Sequence, residues 1–414
     1  MPALTPESLS HLAEACAAGQ NPQTAALPRR MSIWEITRWI LPMAPEHLRR
    51  VLAAEPSLPQ GIAGAEGGSR WFTAADLGPL RAHFATGSRK ARYLPRPLGP
   101  KAPLIAVTGP RGGVGRTSCL LHLASAAALS GYRILVIDGD PAGQLAGVLR
   151  AEAPSQGSGV LSLIARGAGR HLRRMNESRL DRGEPPAAMD DTLGGALTLH
   201  ATDLIRPSAW PGLDVMAAPP DLMQADLRIG SWRLALRGWR PWRALAEALA
   251  EDGLRAHYDL ILCDTPRGLG PLALSILASA DVLLAPAPLR DSGLEAMASG
   301  LQDLGQAMTS LQDDEQTLAR ALGQTAMPYH WHRLMVLPTR AAEDAPKRLP
   351  GFAAKPIGTM LTAALPEIPQ VASGTATHFY DLDYREVGRL AYAPLRDACD
   401  AAWKGVATAL NEAE

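Results

Sequence analysis

The chain has 414 residues, 47% of them hydrophobic, and its 41 basic residues balance its 41 acidic ones. This composition predicts a soluble, globular protein of two or three domains, and the zero net charge excludes a chain that is basic throughout. Four widely spaced cysteines form no CxxC pair, so they indicate neither a disulfide framework nor a zinc site and favour buried, reduced thiols.

The first predicted elements form a small, mainly helical domain over residues 29–94, behind an N-terminal helical segment of residues 1–28. SIWEITRWIL and APEHLRRVLAAE are two short helical patterns separated by Pro42, which is the outline of a helix-turn-helix. The glycine-rich GIAGAEGGSRWF is typical of a β-wing, and Thr73 caps a third helix, AADLGPLRAHF. We expect a winged helix-turn-helix domain.

The charge of this region favours DNA as its partner. Residues 29–100 carry eleven basic and five acidic side chains, a net charge of +6. The second helix of a helix-turn-helix enters the major groove. Candidate DNA contacts are therefore Arg30, His47, Arg49, Arg50 and Arg70. The alternative is a solvated basic helix face, which explains the net charge and the wing less well.

A domain boundary is predicted at residues 95–103, PRPLGPKAP, because this composition is typical of a linker. Downstream, APLIAVTG, TSCLLHLASAAALSG and YRILVIDGD form a strand, helix, strand pattern, which HYDLILCDTP and DVLLAPAPL extend. Residues 104–414 are thus predicted as a doubly wound α/β domain with a mainly parallel sheet. Within it, the charged, Gly- and Pro-rich residues 167–195 are predicted to be a mobile surface insertion.

The stretch Thr108–Ser118, TGPRGGVGRTS, joins the first strand and helix of this domain. Backbone N–H groups at a helix N-terminus bind anions, and glycine allows a close approach. The glycines at this junction are Gly112, Gly113 and Gly115. A P-loop has its magnesium-binding hydroxyl where this chain has Thr117, but it has lysine where this chain has Arg116. The alternative is a tight strand-to-helix turn without a ligand.

Three carboxylates follow buried strands of the same predicted sheet. Asp138 and Asp140 end the second strand, and Asp264 ends a later one. Because ligands of parallel sheets bind at the carboxyl ends of the strands, these residues predict a site for a magnesium nucleotide. Helix capping would explain any one of them, but poorly explains all three.

RGGVGRT, LVIDGDP and YDLILCDTP resemble, in order and spacing, the deviant Walker A, Walker A′ and Walker B motifs of ParA-type partition ATPases. DLIRPSAWPGLDVMAAPPDLM and the front region resemble the RepA branch encoded with large plasmids, which has a winged helix-turn-helix. The resemblance covers residues 30–410 apart from the insertion. It implies a P-loop NTPase fold, ATP and Mg²⁺, a homodimer, binding to its own operator as an autorepressor, and binding to non-specific DNA. It also implies a ParB-like centromere-binding partner and a role in DNA segregation.

The resemblance also implies roles for individual residues. Arg111 matches the lysine that reaches across a dimer, and Arg116 the lysine on the β and γ phosphates. Thr117 matches the magnesium ligand, Asp140 the residue that orients the attacking water, and Asp264 an outer-sphere magnesium carboxylate. The nucleotide-binding set is Gly112, Gly113, Val114, Gly115, Arg116, Thr117 and Ser118, and the metal set is Thr117, Asp138 and Asp264.

Four positions depart from the family motifs. Both lysines are arginines, Ala142 replaces the glutamine that follows DP, and Arg267 replaces the second proline of Walker B. A planar guanidinium cannot occupy the slot of a lysine unchanged, so we expect ATP binding with weakened or lost hydrolysis. A general drift toward arginine is the alternative, since only five of the 41 basic residues are lysines.

Two further function classes remain as alternatives. One is a non-hydrolysing DNA-binding regulator that uses the P-loop fold as a dimerisation scaffold. The other is a MinD-like membrane-positioning ATPase, which the DNA-binding front and a C-terminal helix with few basic residues disfavour. The apolar residues 269–289 are interrupted by Asp281 and prolines, so we expect no membrane span and a cytoplasmic, nucleoid-associated protein.

Overall fold

The computed structural model describes residues 29–64, 69–109, 114–155, 157–288, 291–326, 331–340, 358–373, 376 and 378–412. The front region contains a three-stranded antiparallel sheet of order β1-β3-β2 and four helices. Its elements are β1 (Met31–Ser32), α1 (Ile33–Glu35), α2 (Pro45–Ala54), β2 (Ile62–Ala63), β3 (Arg70–Phe72), α3 (Ala74–Phe84) and α4 (Lys90–Tyr93). A π-helical segment, Ile36–Ile40, continues α1.

Local capping explains where the front helices begin. Ser32 accepts a hydrogen bond from the backbone of Glu35, whose carboxylate in turn accepts from the backbone of Ser32. At the start of α3, the backbone N–H and the hydroxyl of Thr73 both donate to Asp76 Oδ2, at 2.7 Å and 3.0 Å. Each pair satisfies backbone N–H groups that the first turn of a helix leaves open. The predicted start of the third helix at Thr73 is confirmed, and the helix predicted for SIWEITRWIL begins directly after Ser32.

The second region is built around an eight-stranded sheet of order β11-β10-β9-β4-β8-β5-β7-β6, in which only β6 and β7 pair antiparallel. Its strands are β4 (Leu104–Val107), β5 (Ile134–Asp138), β6 (Ile205–Pro207), β7 (Leu213–Met216), β8 (Leu260–Asp264), β9 (Val282–Pro288), β10 (Arg333–Thr339) and β11 (Gly358–Met360). The central strands β4, β5 and β8 are buried throughout, as expected for a sheet covered on both faces.

Helices cover both faces of this sheet. They are α5 (Arg116–Leu129), α6 (Leu145–Val148), α7 (Val160–Asp181), α8 (Asp191–Ala196), α9 (Ala225–Ala235), α10 (Pro241–Glu251), α11 (Leu254–His257), α12 (Pro271–Ser279), α13 (Asp291–Ala321), α14 (Pro369–Ala372), α15 (Tyr384–Val387) and α16 (Arg389–Asn411). One core contains α5 and α16, and the other contains α7, α9, α10 and α12. Cys119, Cys263 and Cys399 are buried free thiols, as predicted, while Cys16 lies outside the described residues.

The C-terminal helix α16 packs on the core as its apolar spacing predicts. Cys399, Trp403, Val406 and Leu410 are buried, and Leu395 packs against them. The Trp403 ring also meets Tyr132 edge-on, with 5.4 Å between the ring centroids. This contact fixes α16 against the loop that precedes β5.

The front region packs directly on this second region. The Arg81 guanidinium of α3 donates to the carbonyl of Leu129 at 2.5 Å and to that of Tyr93 at 2.9 Å. Trp39 Nε1 donates to Asp397 Oδ1 of α16 at 2.6 Å. Leu98, inside the predicted linker 95–103, is buried in the core that both regions share. The linker segment therefore contributes to packing as well as joining the two regions.

The prediction of a mobile insertion at residues 167–195 is wrong. These residues form the second half of α7, a turn and α8. Ala168, Leu172 and Leu193 are buried in the core beneath the sheet. Helix α7 and its apolar face begin upstream of residue 167. The predicted boundary divided this helix in two, and its apolar period is not recognisable in the second half alone.

Candidate nucleotide-binding site

Three adjacent strands bring the predicted site residues together. Strand β8 lies between β4 and β5, and Asp138 and Asp264 are register partners at the ends of their strands. Gly139 makes this approach possible, because a Cβ there would lie 2.4 Å from Ile276 Cδ1 and 2.6 Å from the Asp264 carbonyl oxygen. A residue with a Cβ would therefore clash at this position, which explains the glycine in LVIDGD.

The loop after β4 turns into α5 at Gly115. This residue has φ +83°, a left-handed conformation that favours glycine, and Arg116 begins the helix. Thr117 Oγ1 donates to Asp264 Oδ2 at 2.6 Å. Asp264 Oδ1 is buried and has no hydrogen-bond partner among the residues described here. A buried carboxylate oxygen without a partner indicates capacity for a further ligand.

Asp138 is the most enclosed carboxylate of the site, with 1% of its surface exposed. It accepts hydrogen bonds from the backbone N–H groups of Asp140 at 3.2 Å and Leu145 at 3.1 Å. Burial, and then the neighbouring charge of Asp264, raises the pKa of Asp138 to about 7. Burial likewise raises the pKa of Asp264 to about 6, against the stabilising hydrogen bond from Thr117. Burial is thus the main reason that both carboxyl groups resist ionisation.

Arg116 is buried, and its guanidinium is already engaged by the protein. One nitrogen donates to the Gly109 carbonyl, and the other lies 3.6 Å from Asp140 Oδ2. Burial lowers the pKa of Arg116, while Asp264 and Asp140 act in the opposite direction. Arg116 thus pairs with the carboxylate that the family resemblance assigns to the attacking water.

A cleft of about 200 Å³ lies over these groups. Its walls include Thr117, Asp138, Asp140 and Asp264, together with Val114, Gly115, Arg116 and Ser118 from the predicted nucleotide-binding set. The predicted residues Arg111, Gly112 and Gly113 lie outside the described residues. Within the described ranges, no three His, Cys, Asp or Glu side chains group closely enough to hold a metal ion by themselves.

Two further polar residues, Gln144 and Arg267, line the cleft, although the sequence indicated no binding role for either. Gln144 lies two residues beyond Ala142, which replaces the expected glutamine and also lines the cleft. Arg267 stands where the family has proline. The signal that could have identified both is their position just after the carboxyl ends of β5 and β8.

The candidate DNA contacts all lie in the front region. Arg49 and Arg50 are exposed on α2, and Arg49 pairs with Glu46 at 3.3 Å. Arg70 is exposed on β3 and donates to Gln60 Oε1 at 2.7 Å. Arg30 is half-buried, as is His47, whose ring lies 5.9 Å from that of Phe84. None of the described helices is both long and apolar enough to cross a membrane.

The chain matches one family model and is similar to several partition proteins. A family model described as an AAA domain matches residues 102–319. The chromosome-partitioning ATPase Soj of Thermus thermophilus is 29% identical over 207 residues, which span 50% of this chain and 63% of Soj. The chromosome partitioning protein ParA of Caulobacter vibrioides is 28% identical over 208 residues, 50% of this chain and 64% of that protein. The matched part is thus less than two thirds of each of these relatives.

One relative aligns with more of the chain. A Sinorhizobium fredii protein named as a replication protein A is 24% identical over 343 residues, 80% of this chain and 73% of that protein. A solved structure titled "Partition Protein" superposes with a TM-score of 0.55 at 15% identity, covering 98% of this chain and 97% of that one. The predicted fold, a mainly parallel doubly wound sheet of the P-loop NTPase class, is confirmed.

Proposed function

The chain belongs to the ParA-type partition ATPases, and on that basis we propose that it binds ATP with Mg²⁺ and acts in segregating plasmid or chromosomal DNA. The observation that carries the proposal is the convergence of Thr117, Asp138 and Asp264 beneath the N-terminus of α5. Helix N-termini favour anions, and carboxylates favour cations, so the cleft suits a magnesium nucleotide.

The side chains present fit a magnesium ion. Thr117 supplies a hydroxyl oxygen, and Asp264 Oδ1 is a buried oxygen without a partner among the described residues. Oxygen ligands of this kind are those that Mg²⁺ prefers. Bound Mg²⁺ would neutralise phosphate charge and so assist phosphoryl transfer. Thr117 would hold the ion, with Asp138 and Asp264 supporting it.

We expect hydrolysis to be weak because Arg116 and Asp140 engage each other. A catalytic cation has to face the γ-phosphate, and the carboxylate at 140 has to be free to orient water. In the structure the Arg116 guanidinium donates to Gly109 and lies 3.6 Å from the Asp140 carboxylate. Nucleotide binding depends less on residue 116, since the backbone N–H groups at the start of α5 can bind the phosphates directly.

The metal assignment is tested by titrating ATP in the presence and absence of Mg²⁺. Wild-type protein should bind MgATP more tightly than ATP alone, and Thr117→Ala should lose at least tenfold of that magnesium-dependent affinity. Thr309→Ala is the matched control, because Thr309 is an exposed threonine on α13 that donates only to its own helix. Equal magnesium dependence in the Thr117 variant and the wild type would show that the hydroxyl is not a ligand.

We further propose that residues 29–94 form a winged helix-turn-helix that binds an operator and non-specific DNA. Helix α2 with exposed Arg49 and Arg50, and the β2–β3 hairpin with exposed Arg70, support this reading. In this arrangement α2 is the recognition helix, and the hairpin contacts the adjacent backbone. A homodimer, a ParB-like partner and a cytoplasmic, nucleoid-associated location complete the proposal by family analogy.

The DNA assignment is tested on the full chain, because its front region shares a core with α5 and α16. The logarithm of the DNA affinity should fall as the logarithm of the salt concentration rises. Replacing Arg49 and Arg50 with alanine should make this fall less steep, reducing the magnitude of the slope by about 2, because each arginine would neutralise one phosphate. The matched control removes the same charge at exposed Arg173 and Arg174 on α7. Identical slopes for wild type and the α2 variant would remove α2 from the DNA interface.

A second candidate function is a DNA-binding regulator that does not hydrolyse ATP and uses the P-loop fold to dimerise. The Arg116–Asp140 ion pair favours it, because both groups with proposed catalytic roles are already satisfied within the chain. The two candidates differ in nucleotide binding. Failure to bind nucleotide at millimolar concentration would favour the scaffold, whereas saturable binding with measurable turnover would favour the partition protein proposed above.

A further inference from the structure

A second arginine lines the cleft. Arg267 follows Pro266 in the loop between β8 and α12, is exposed, and lines the same cleft as Asp264 and Thr117. Burial chiefly lowers the pKa of Arg116, and the positive charge of Arg267 lowers it further. Both guanidinium groups line the cleft, and their positive charges repel each other.

The two arginines differ in what they are free to do. Arg116 is 6% exposed and is held by the Gly109 carbonyl and Asp140. No hydrogen bond or ion pair joins Arg267 to any described residue. An exposed guanidinium keeps all five N–H donors available for a ligand. Arg116 is thus buried and bonded within the protein, whereas the guanidinium of Arg267 is exposed and can bind a ligand.

The loop that carries Arg267 is anchored at both ends. Thr265 Oγ1 donates to the carbonyl of Val107 on β4 at 2.8 Å, which ties the start of the loop to the nucleotide side of the sheet. At the other end, the backbone N–H of Leu272 donates to Asp226 Oδ1 at 2.8 Å. Gly270 is packed so closely that a Cβ there would lie 2.2 Å from Asp226 Oδ2. The backbone therefore presents Arg267 to the cleft from a fixed position.

We propose that Arg267 is the phosphate-binding cation of this site and supplies, from the loop after β8, the charge that a lysine at position 116 would supply. Its ligand is the phosphate chain of a nucleoside triphosphate, which a guanidinium can bind with two parallel hydrogen bonds. The inference rests on the proposed function, since it assigns a residue to the same nucleotide site. It also explains how ATP can bind although Arg116 is engaged elsewhere.

The test is the ATP affinity of the full-length protein with Mg²⁺ present, measured for the wild type, Arg267→Ala and Arg267→Lys. Arg267→Ala should bind ATP at least tenfold more weakly, and Arg267→Lys should recover only part of that loss, because a lysine restores the charge but not the two parallel hydrogen bonds. Arg237→Ala removes an exposed arginine elsewhere on the surface and should leave the affinity unchanged. Because Arg267 is exposed, the melting temperature of Arg267→Ala without nucleotide should match that of the wild type.

Two results would separate the inference from the function on which it rests. If wild type and Arg267→Ala bind ATP equally well, the role of Arg267 is overturned and the nucleotide site stands. If wild-type protein binds no ATP at millimolar concentration, the nucleotide site itself is overturned, and the inference with it.

Discussion

At the scale of single residues, the carboxylates of the cleft dominate the electrostatics. The pKa of Asp138 is raised from 3.8 to about 7 and that of Asp264 to about 6, in both cases chiefly by burial. Between pH 4 and 7 the folded protein therefore binds more protons than the unfolded chain. This contribution to stability is fully present below the unfolded pKa and is lost as the pH rises through the folded pKa values.

The variant Asp138→Asn should flatten this pH dependence. Between pH 5 and pH 8 the fall in the free energy of unfolding should be about 1 to 3 kcal/mol smaller than in the wild type. Because the charges of Asp138 and Asp264 are coupled, the difference measures the loss of the Asp138 carboxyl group together with its effect on Asp264. Denaturant unfolding at several pH values measures it, with exposed Asp313→Asn as the control. Parallel pH profiles for Asp138→Asn and the wild type would contradict the raised pKa.

The two arginines in lysine positions give a second prediction at this scale. The double variant Arg111→Lys, Arg116→Lys should raise ATP turnover about tenfold or more, because a lysine at 116 would release Asp140 from its ion pair. Phosphate release measures this turnover. Adding Asp140→Ala should abolish the gain. Robust wild-type hydrolysis that Asp140→Ala abolishes would instead make this chain a partition ATPase with arginine simply in lysine's place.

The sequence predicts the position of the site better than its internal contacts. Thr117, Asp138 and Asp264 converge as the strand-end rule requires, because a parallel sheet aligns the carboxyl ends of its strands. The turn of Arg116 toward Gly109 and Asp140 could not be predicted, since motif spacing does not determine where a long side chain points. The same holds for the placement of Gln144 and Arg267 in the cleft wall.

At the scale of elements, α7 shows how glycine can mislead a prediction. Gly167 and Gly169 suggested mobility, but both lie in the helix, where they permit close packing. A Cβ at Gly167 would lie 2.9 Å from Ala244 Cβ, and one at Gly169 would lie 2.9 Å from the Leu193 carbonyl oxygen. Sequence alone cannot distinguish a glycine that loosens a segment from one that admits a neighbouring helix.

Helix α7 should therefore be part of the stable fold, and two of its leucines test this. Leu172 is buried, whereas Leu180, two turns later, is 59% exposed. Leu172→Ala should lower the free energy of unfolding by about 2 to 4 kcal/mol, while Leu180→Ala should change it by less than about 0.5 kcal/mol. Denaturant unfolding compares them. Equal, small effects would restore the description of this segment as a mobile insertion.

At the scale of the whole molecule, the front region and the α/β region share a core. Arg81 joins α3 to the end of α5, and Trp39 and Arg38 both contact Asp397 of α16. Cation–π contacts also stabilise this interface: the guanidinium carbon of Arg385 lies 4.2 Å from the centre of the Trp71 ring, and that of Arg389 lies 4.9 Å from the centre of the Trp34 ring. DNA binding and nucleotide binding would thus occur on one packed body.

This packing predicts cooperative unfolding of the full chain. Because the front region buries its apolar side chains partly against α5 and α16, it should lose its structure together with them. Calorimetry should give a single transition. Two well-separated transitions would show that the regions unfold independently and that the shared core contributes little.

The central claim is a site that binds ATP and Mg²⁺ but turns ATP over slowly, and it is tested most directly by measuring binding and hydrolysis on the same wild-type sample. Calorimetric titration with MgATP should give saturable binding below millimolar concentration, because the backbone N–H groups at the start of α5 and the Arg267 guanidinium remain available to the phosphates. Phosphate release by the same sample should be slight. No binding at millimolar MgATP would contradict the claim.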